Sequence, residues 1–492
     1  MNIKLVLKTI SILLLIISFF LLIPGFIALY YNEMKAFYSF ISTIVGTIII
    51  ASLVLILLRN MKNRTMSTRD GFLFVTLSWI AASLVGALPF FISGSIPTFT
   101  DAFFETMSGF TTTGASVLGG PLPLIESLPK SMLFWRSLTH WLGGMGIVVL
   151  TVAILPLLGI GGLQLIKAEA PGPTVDKLTP RITETAKILW FIYLGFTVLE
   201  TVLLMFGGMS FFDALTHTFG TLATGGFSTK NSSVGHYNSA YIDGVITFFM
   251  VLAGINFTLH YRLLTGRVKY LFRDSELKAY LAIFIIATVI MVISLYGKKI
   301  DNIVFDSIGT CFRYASFQAA TMLTTTGYAT ANFENWPTVS LIVLFILMFV
   351  GGCSGSTGGG IKVIRLVTLL KQGFNEMKFL IHPRGVFTLK ISNQPVRKNI
   401  VYAISGFFFL YIFMLLLTSL VVATSGQDLL TSFTTALATV GNIGPGFGKI
   451  GAAENYGFFP GYVKWFLSFA MLAGRLEIYT VLIILTPRFW DK

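Results

Sequence analysis

Thr439-Val440-Gly441-Asn442 is the stretch from which the rest of the chain is read. Threonine, a small apolar residue and glycine in a row make a backbone turn whose carbonyls can line a cation path. Related chemistry recurs upstream as Thr112-Thr113-Gly114-Ala115, Ala223-Thr224-Gly225-Gly226 and Thr325-Thr326-Gly327-Tyr328, with glycines 111, 102 and 114 residues apart. One Thr/Gly cluster is ordinary turn material. Here each of the four follows an amphiphilic run beginning near Asp101, Asp213, Asp306 or Asp428, and each lies between long apolar segments. The repeated unit is therefore helix, re-entrant loop, helix.

A cation filter replaces the ion's water with backbone carbonyls aimed at a common axis. Glycine supplies the positive φ this needs and leaves no side chain in the way. Threonine adds a hydroxyl, and oxygen ligation suits a hard cation. The expected filter is Thr112-Thr113-Gly114, Ala223-Thr224-Gly225, Thr325-Thr326-Gly327 and Thr439-Val440-Gly441. None of the four continues into Tyr-Gly, so fewer stacked carbonyl layers are expected than in a tetrameric potassium channel.

The 492 residues are 54% hydrophobic and only 11% charged, against roughly a quarter charged in soluble domains. The fold class is an all-α polytopic protein of the lipid bilayer. Its net charge of +14 sits in short loops between apolar runs, which is a membrane-topology signature and no nucleic-acid site. Cys311 and Cys353 lie in or beside apolar segments without metal-ligand spacing, and the five histidines are scattered. No constellation of His, Asp or Ser marks an enzyme.

At about 20 apolar residues per crossing, ten spans are expected: 9–30, 37–58, 71–93, 132–157, 187–207, 240–261, 278–296, 338–366, 400–424 and 460–486. One set of loops with both termini holds 24 of the 35 Lys and Arg residues, the opposite set seven. Both termini are expected in the cytoplasm and the filter loops open outward. The organisation expected is an accessory hairpin (1–69), pore repeat 1 (70–160), a cytoplasmic loop and repeat 2 (161–270), repeat 3 (271–375), and a second cytoplasmic loop with repeat 4 (376–492). Residues 161–183 read as a partner-contacting loop or a plain connector. His140 reads as a hydrogen-bonded packing residue or a proton relay.

Repeat 3 departs from the plan. Its second span runs into Gly351-Gly352-Cys353-Ser354-Gly355-Ser356-Thr357-Gly358-Gly359-Gly360, and six glycines in ten residues break a helix. Irregular backbone at membrane depth must be buried in protein or line a cavity, so this stretch is a candidate gate across the pore, with a passive packing seam as the alternative. Arg475, in Gly474-Arg475-Leu476-Glu477, is costly inside a bilayer. It reads as a pore charge below the filter that can bond the glycine loop, or as half of an ion pair with an acid such as Glu477.

These features, with Ala168-Glu169-Ala170-Pro171-Gly172-Pro173, resemble the membrane subunit of the bacterial Trk-type potassium-uptake system over almost the whole chain. The accessory hairpin places the resemblance in the TrkH/TrkG-like branch of the Trk/Ktr/HKT superfamily. The resemblance implies a pseudo-fourfold pore for K+ in the bacterial cytoplasmic membrane, a homodimer, and a cytoplasmic ring of regulatory subunits that binds the nucleotide. It implies no covalently bound cofactor. An ion-coupled secondary transporter, moving K+ with H+ or Na+ through discontinuous helices, remains the alternative.

Overall fold

The computed structural model describes residues 1–60, 66–146, 182–392 and 394–491. Helices α1 (Ile3–Tyr30) and α2 (Met34–Leu57) form a hairpin joined by a short turn. Helix α3 (Thr68–Ser93) starts at a capping box in which Ser67 accepts from the Asp70 amide. The Asp70 carboxylate also accepts from the Asn2 backbone at 2.6 Å, which fastens the hairpin to the first repeat.

Four short helices carry the pore loops: α4 (Phe99–Phe110), α7 (Phe211–Leu222), α12 (Ile308–Leu323) and α16 (Leu429–Val440). Each is started by a capping side chain, Thr98, Ser210, Ser307 and Asp428 respectively, within three residues of the expected aspartates. At about 1.5 Å per residue a 12-residue helix is about 18 Å long and reaches only part-way across a bilayer. The negative ends of these helix dipoles run straight into the loops, where a cation is favoured.

Long helices precede the short ones: α6 (Ile182–Phe206), α11 (Ser275–Leu295) and α15 (Lys398–Ala423), with α3 in the first unit. The returning segments are α5 (Lys130–Trp141), α8 (Ala240–Ala253) with α9 (Phe257–Leu264), α13 (Thr338–Met348) with α14 (Val363–Ile381), and α17 (Gly461–Arg475) with α18 (Tyr479–Leu482). A short helix α10 (Lys269–Arg273) lies before α11.

Among the described residues six helices are long and apolar enough to cross a membrane, or up to eight crossings if each of two bent pairs is one span. The break expected in repeat 3 alone occurs in repeats 2 and 4 as well, with bends of 100° after Ala253 and 115° after Arg475. In repeat 2, Gly254 sits where a Cβ would lie 2.4 Å from the Tyr280 hydroxyl, and Asn256 caps the second half by accepting from the Thr258 amide at 2.8 Å. In repeat 4, Glu477 and Ile478 both take positive φ, 56° and 57°, a strained conformation for a β-branched residue. Repeat 1 loosens into a π-turn over Leu142–Gly146. The segment Ala168 to Pro173, the rest of the expected span 132–157 and the 161–181 part of the first cytoplasmic loop lie outside the described residues.

Neighbouring units are fastened by four chemically different joints. Arg136 of repeat 1 pairs with Glu105 at 2.6 Å and reaches the Ser228 carbonyl of repeat 2 at 3.0 Å. Arg313 of repeat 3 pairs with Asp243 of repeat 2 at 2.6 Å. Glu334 of repeat 3 accepts from the Gly448 amide of repeat 4 at 2.6 Å, and burial, with Glu454 nearby, raises its pKa above the usual carboxyl value. Lys464 of repeat 4 closes the circle on Asp101 of repeat 1 at 2.5 Å. Removing one member of a buried pair leaves an uncompensated charge and costs about 3–5 kcal/mol. Lys464→Met is therefore expected to lower the thermal unfolding midpoint of the purified protein sharply, and adding Asp101→Asn to recover part of the loss. Equal midpoints in wild type and Lys464→Met would refute the role of this joint.

Candidate functional site

The backbone sets the register of the four loops. In each, two residues separated by one take positive φ: Thr112 and Gly114, Thr224 and Gly226, Thr325 and Gly327, Asn442 and Gly444. The residue before each set caps the short helix: Thr111, Ala223, Thr324 and Gly441. The equivalent triplets are thus Thr112-Thr113-Gly114, Thr224-Gly225-Gly226, Thr325-Thr326-Gly327 and Asn442-Ile443-Gly444.

Two expected stretches shift accordingly. Thr439 and Val440 belong to α16, and Gly441 has an ordinary helical φ of −79°. The loop turn begins three residues later than the Thr-Val-Gly reading placed it. Ala223 likewise belongs to the helix cap, and Gly226 rather than Gly225 takes the left-handed conformation. The pattern common to all four is a residue held at positive φ (Thr, strained there by its β-branch, or the more tolerant Asn), any residue, then glycine; Asn-Ile-Gly carries it in the fourth loop.

These glycines form a closed ring of contacts. A Cβ built on Gly114 would lie 2.0 Å from the Gly225 carbonyl oxygen, on Gly226 2.1 Å from Thr326 O, on Gly327 2.2 Å from Ile443 O, and on Gly444 2.6 Å from Thr113 O. Each loop's glycine thus meets a carbonyl of the next loop, in the order of the chain, and the last meets the first. No side chain fits at any of the four positions. Among the described residues no hydrogen bond is donated to the carbonyls of Thr113, Thr326 or Ile443. An oxygen left without a donor in a buried place carries a desolvation cost that a cation relieves.

The hydroxyls are mostly engaged. Thr111 with Thr113, and Thr324 with Thr326, make matching 2.8 Å pairs in repeats 1 and 3. Asn442 donates to Thr113 Oγ1 and to the Met471 carbonyl, both at 2.9 Å. Gly225 leaves room for His140, whose ring atoms come within 2.6 Å of where a Cβ would be. His140 bonds the Gly109 carbonyl through Nδ1 at 2.7 Å and stacks on Phe227 with centroids 4.0 Å apart. It packs the loop wall of repeats 1 and 2.

The glycine stretch of repeat 3 meets the inner end of this ring, the end joined to the short helices. Gly359 donates to Thr325 Oγ1 at 2.7 Å, and a Cβ there would lie 2.5 Å from the Gly441 carbonyl. Cys353 N bonds Gly254 O at 2.8 Å, and Phe257 N bonds Gly355 O at 3.0 Å, so the stretch fills the break in repeat 2. Its two flanks are drawn together: Gly351 N bonds Ile361 O at 2.9 Å, and one oxygen of Glu276 accepts from both Ser354 N (2.7 Å) and Ile364 N (3.0 Å). Lys362 bonds the Gly358 carbonyl. Nothing in the spacing of the chain points to Glu276, because its partners are amides 78 and 88 residues away.

Arg475 reaches across three units. It donates to Thr357 O of the glycine stretch at 2.7 Å and to Gly143 O and Gly144 O of the repeat 1 π-turn, each at 2.8 Å. The acid beside it, Glu477, pairs with Arg365, whose guanidinium lies 3.9 Å from the Phe407 ring centre.

The sequence profile of the TrkH cation transport proteins matches residues 38–492. The Trk system potassium uptake protein TrkH of Salmonella typhimurium is 41% identical over 495 residues, covering all of both chains. The Trk system potassium uptake protein TrkG of Escherichia coli K12 is 40% identical over 428 residues, 86% of this chain and 86% of its own. The crystal structure of the potassium transporter TrkH from Vibrio parahaemolyticus superposes with a TM-score of 0.87 at 38% identity, over the whole of both chains. With the ring of loops and the broken return helices, these likenesses make the chain a member of the TrkH family of cation transport proteins.

Proposed function

We propose that the chain carries out potassium uptake across the bacterial cytoplasmic membrane through the ring of four loops, as the membrane subunit of a Trk system. The observation that carries this reading is the closed glycine–carbonyl ring, since a cation path on an axis needs backbone oxygens and no side chains. The names of the relatives, potassium uptake proteins and a potassium transporter, support K+ as the ion. The filter consists of Thr112-Thr113-Gly114, Thr224-Gly225-Gly226, Thr325-Thr326-Gly327 and Asn442-Ile443-Gly444. Gly351–Gly360 is the gate and Arg475 the charge below the filter. The reaction is transport without covalent chemistry, and K+ is cargo rather than a resident cofactor. Both termini are cytoplasmic, the accessory hairpin (1–69) stands outside the pore units, and the working form is a homodimer on a nucleotide-binding cytoplasmic ring.

Growth of a potassium-uptake-deficient bacterial host at low K+, with rubidium influx into vesicles, tests the reading; no rescue and no influx from well-inserted protein would sink it. Deleting Gly355–Gly359 removes the contacts to Thr325 and Thr357's bond to Arg475. Basal rubidium flux is expected to rise several-fold, and a folded deletion protein with unchanged flux would refute the gate. The broken helices of repeats 2 to 4 are also the feature a secondary transporter would show. Single-channel recording separates the two: discrete current steps belong to a pore, their absence with electrogenic uptake to an alternating-access cycle.

A further inference from the structure

The 100° bend after Ala253 turns α9 out of line with its span. Its first half is buried, but from Leu263 onward the chain is almost wholly exposed until α11 begins at Ser275. Helix α11 is 21 residues long, about 31 Å at 1.5 Å per residue and sufficient for a full crossing. Its start, and the exposed segment before it, therefore lie at a membrane boundary, which is the inner one in the topology of the proposed function.

That segment combines two kinds of side chain. Leu264 is 71% exposed and Phe272 73%, and Val268 and Tyr270 are exposed as well. Between them stand Arg267, Lys269 and Arg273, all exposed, while Arg262 stacks on Tyr270 at 4.7 Å. The neighbouring acid is turned away, because Asp274 caps α11 by accepting from the Leu277 amide at 2.8 Å. Large apolar groups beside cations, at the cytoplasmic boundary, match the acyl and headgroup layers of an anionic leaflet.

We propose that residues 263–273 form a docking site for anionic phospholipid of the inner leaflet, with Arg267, Lys269 and Arg273 on the headgroup phosphates and Leu264 and Phe272 among the acyl chains. The site is wired to the glycine stretch: Phe257, at the head of the same elbow, bonds Gly355 O, and Gly355 packs on Asn256. Occupancy by lipid fixes the elbow and with it the seat of the stretch. This second step rests on Gly351–Gly360 being the gate; lipid binding itself does not.

The test is native mass spectrometry of the full-length protein titrated with phosphatidylglycerol or phosphatidylcholine, followed by rubidium flux in vesicles of each. Each basic residue at an anionic surface strengthens binding about fivefold. The variant Arg267→Gln/Lys269→Gln/Arg273→Gln is expected to weaken phosphatidylglycerol binding on the order of 100-fold, and to leave phosphatidylcholine binding unchanged. The charge-keeping variant Arg267→Lys/Arg273→Lys is expected to bind as wild type. Undiminished phosphatidylglycerol binding by the triple variant overturns the proposal. So does a triple variant that binds lipid normally and loses only a protein partner of the cytoplasmic face. Lost binding with flux no longer sensitive to phosphatidylglycerol supports both steps. Lost binding with flux still sensitive supports the docking site and refutes its link to the gate.

Discussion

Arg475→Ala is expected to raise basal rubidium flux by about 30-fold. Over a separation of about 8 Å at an effective dielectric of about 20, a guanidinium opposes a passing monovalent cation by about 2 kcal/mol, which is roughly 30-fold in rate. A second effect acts in the same direction. The side chain holds Thr357 O, Gly143 O and Gly144 O together, so its loss frees the glycine stretch from repeats 1 and 4. Arg475→Lys separates the two, because lysine keeps the charge and lacks the planar fork that serves several carbonyls; an intermediate flux is expected. Flux measured per inserted molecule decides the matter, and slower or unchanged permeation in Arg475→Ala would remove Arg475 from the pore.

Gly444→Ala is expected to reduce potassium-dependent growth and rubidium influx by tenfold or more, and by more than Gly441→Ala does. Gly444 holds φ at +93°, and its new methyl would stand 2.6 Å from the Thr113 carbonyl of the next unit. The left-handed conformation alone costs an L-residue roughly 1–2 kcal/mol, and the clash displaces one of the ring's four oxygens. Gly441 has an ordinary φ, and its new methyl, although 2.6 Å from the Leu437 carbonyl, meets only its own unit and displaces no oxygen of a neighbouring loop. The ratio of Rb+ to Na+ influx in the two variants tests the register directly. A severe Gly441→Ala with a silent Gly444→Ala would restore the Thr-Val-Gly reading.

The class of the fold was legible because hydropathy and repetition are summed over many residues. The four short helices were legible too, because capping side chains and apolar runs are local signals. The exact turn was harder in the two loops where the motif is degenerate. In Ala223-Thr224-Gly225-Gly226 and Thr439-Val440-Gly441-Asn442 a glycine stands one and three residues ahead of the one that takes positive φ. Composition does not say which glycine does so; the neighbouring unit's carbonyl does. The breaks after Ala253 and Arg475 escaped for a related reason. Each of these segments is apolar enough for a straight span, and only the fold shows Tyr280, Thr324 and the end of α16 packed so closely on Gly254 and Gly474 that no side chain fits there. Six glycines in ten consecutive residues announced the break in repeat 3; a single glycine or Gly-Arg announces nothing. Glu276 and the four joints between units are contacts between distant parts of the chain, which no spacing rule reaches.

Those joints differ from one another, and that bears on how the molecule can change. In a ring of four identical chains every substitution is delivered in four doses, so a residue at the axis or at a seam is altered everywhere or nowhere. Here Arg136 on Ser228, Asp243 on Arg313, Glu334 on Gly448 and Lys464 on Asp101 are separate loci. Each seam can be tightened or relaxed in single dose while the other three keep the circle closed, so heritable adjustment of the ring proceeds one quarter at a time.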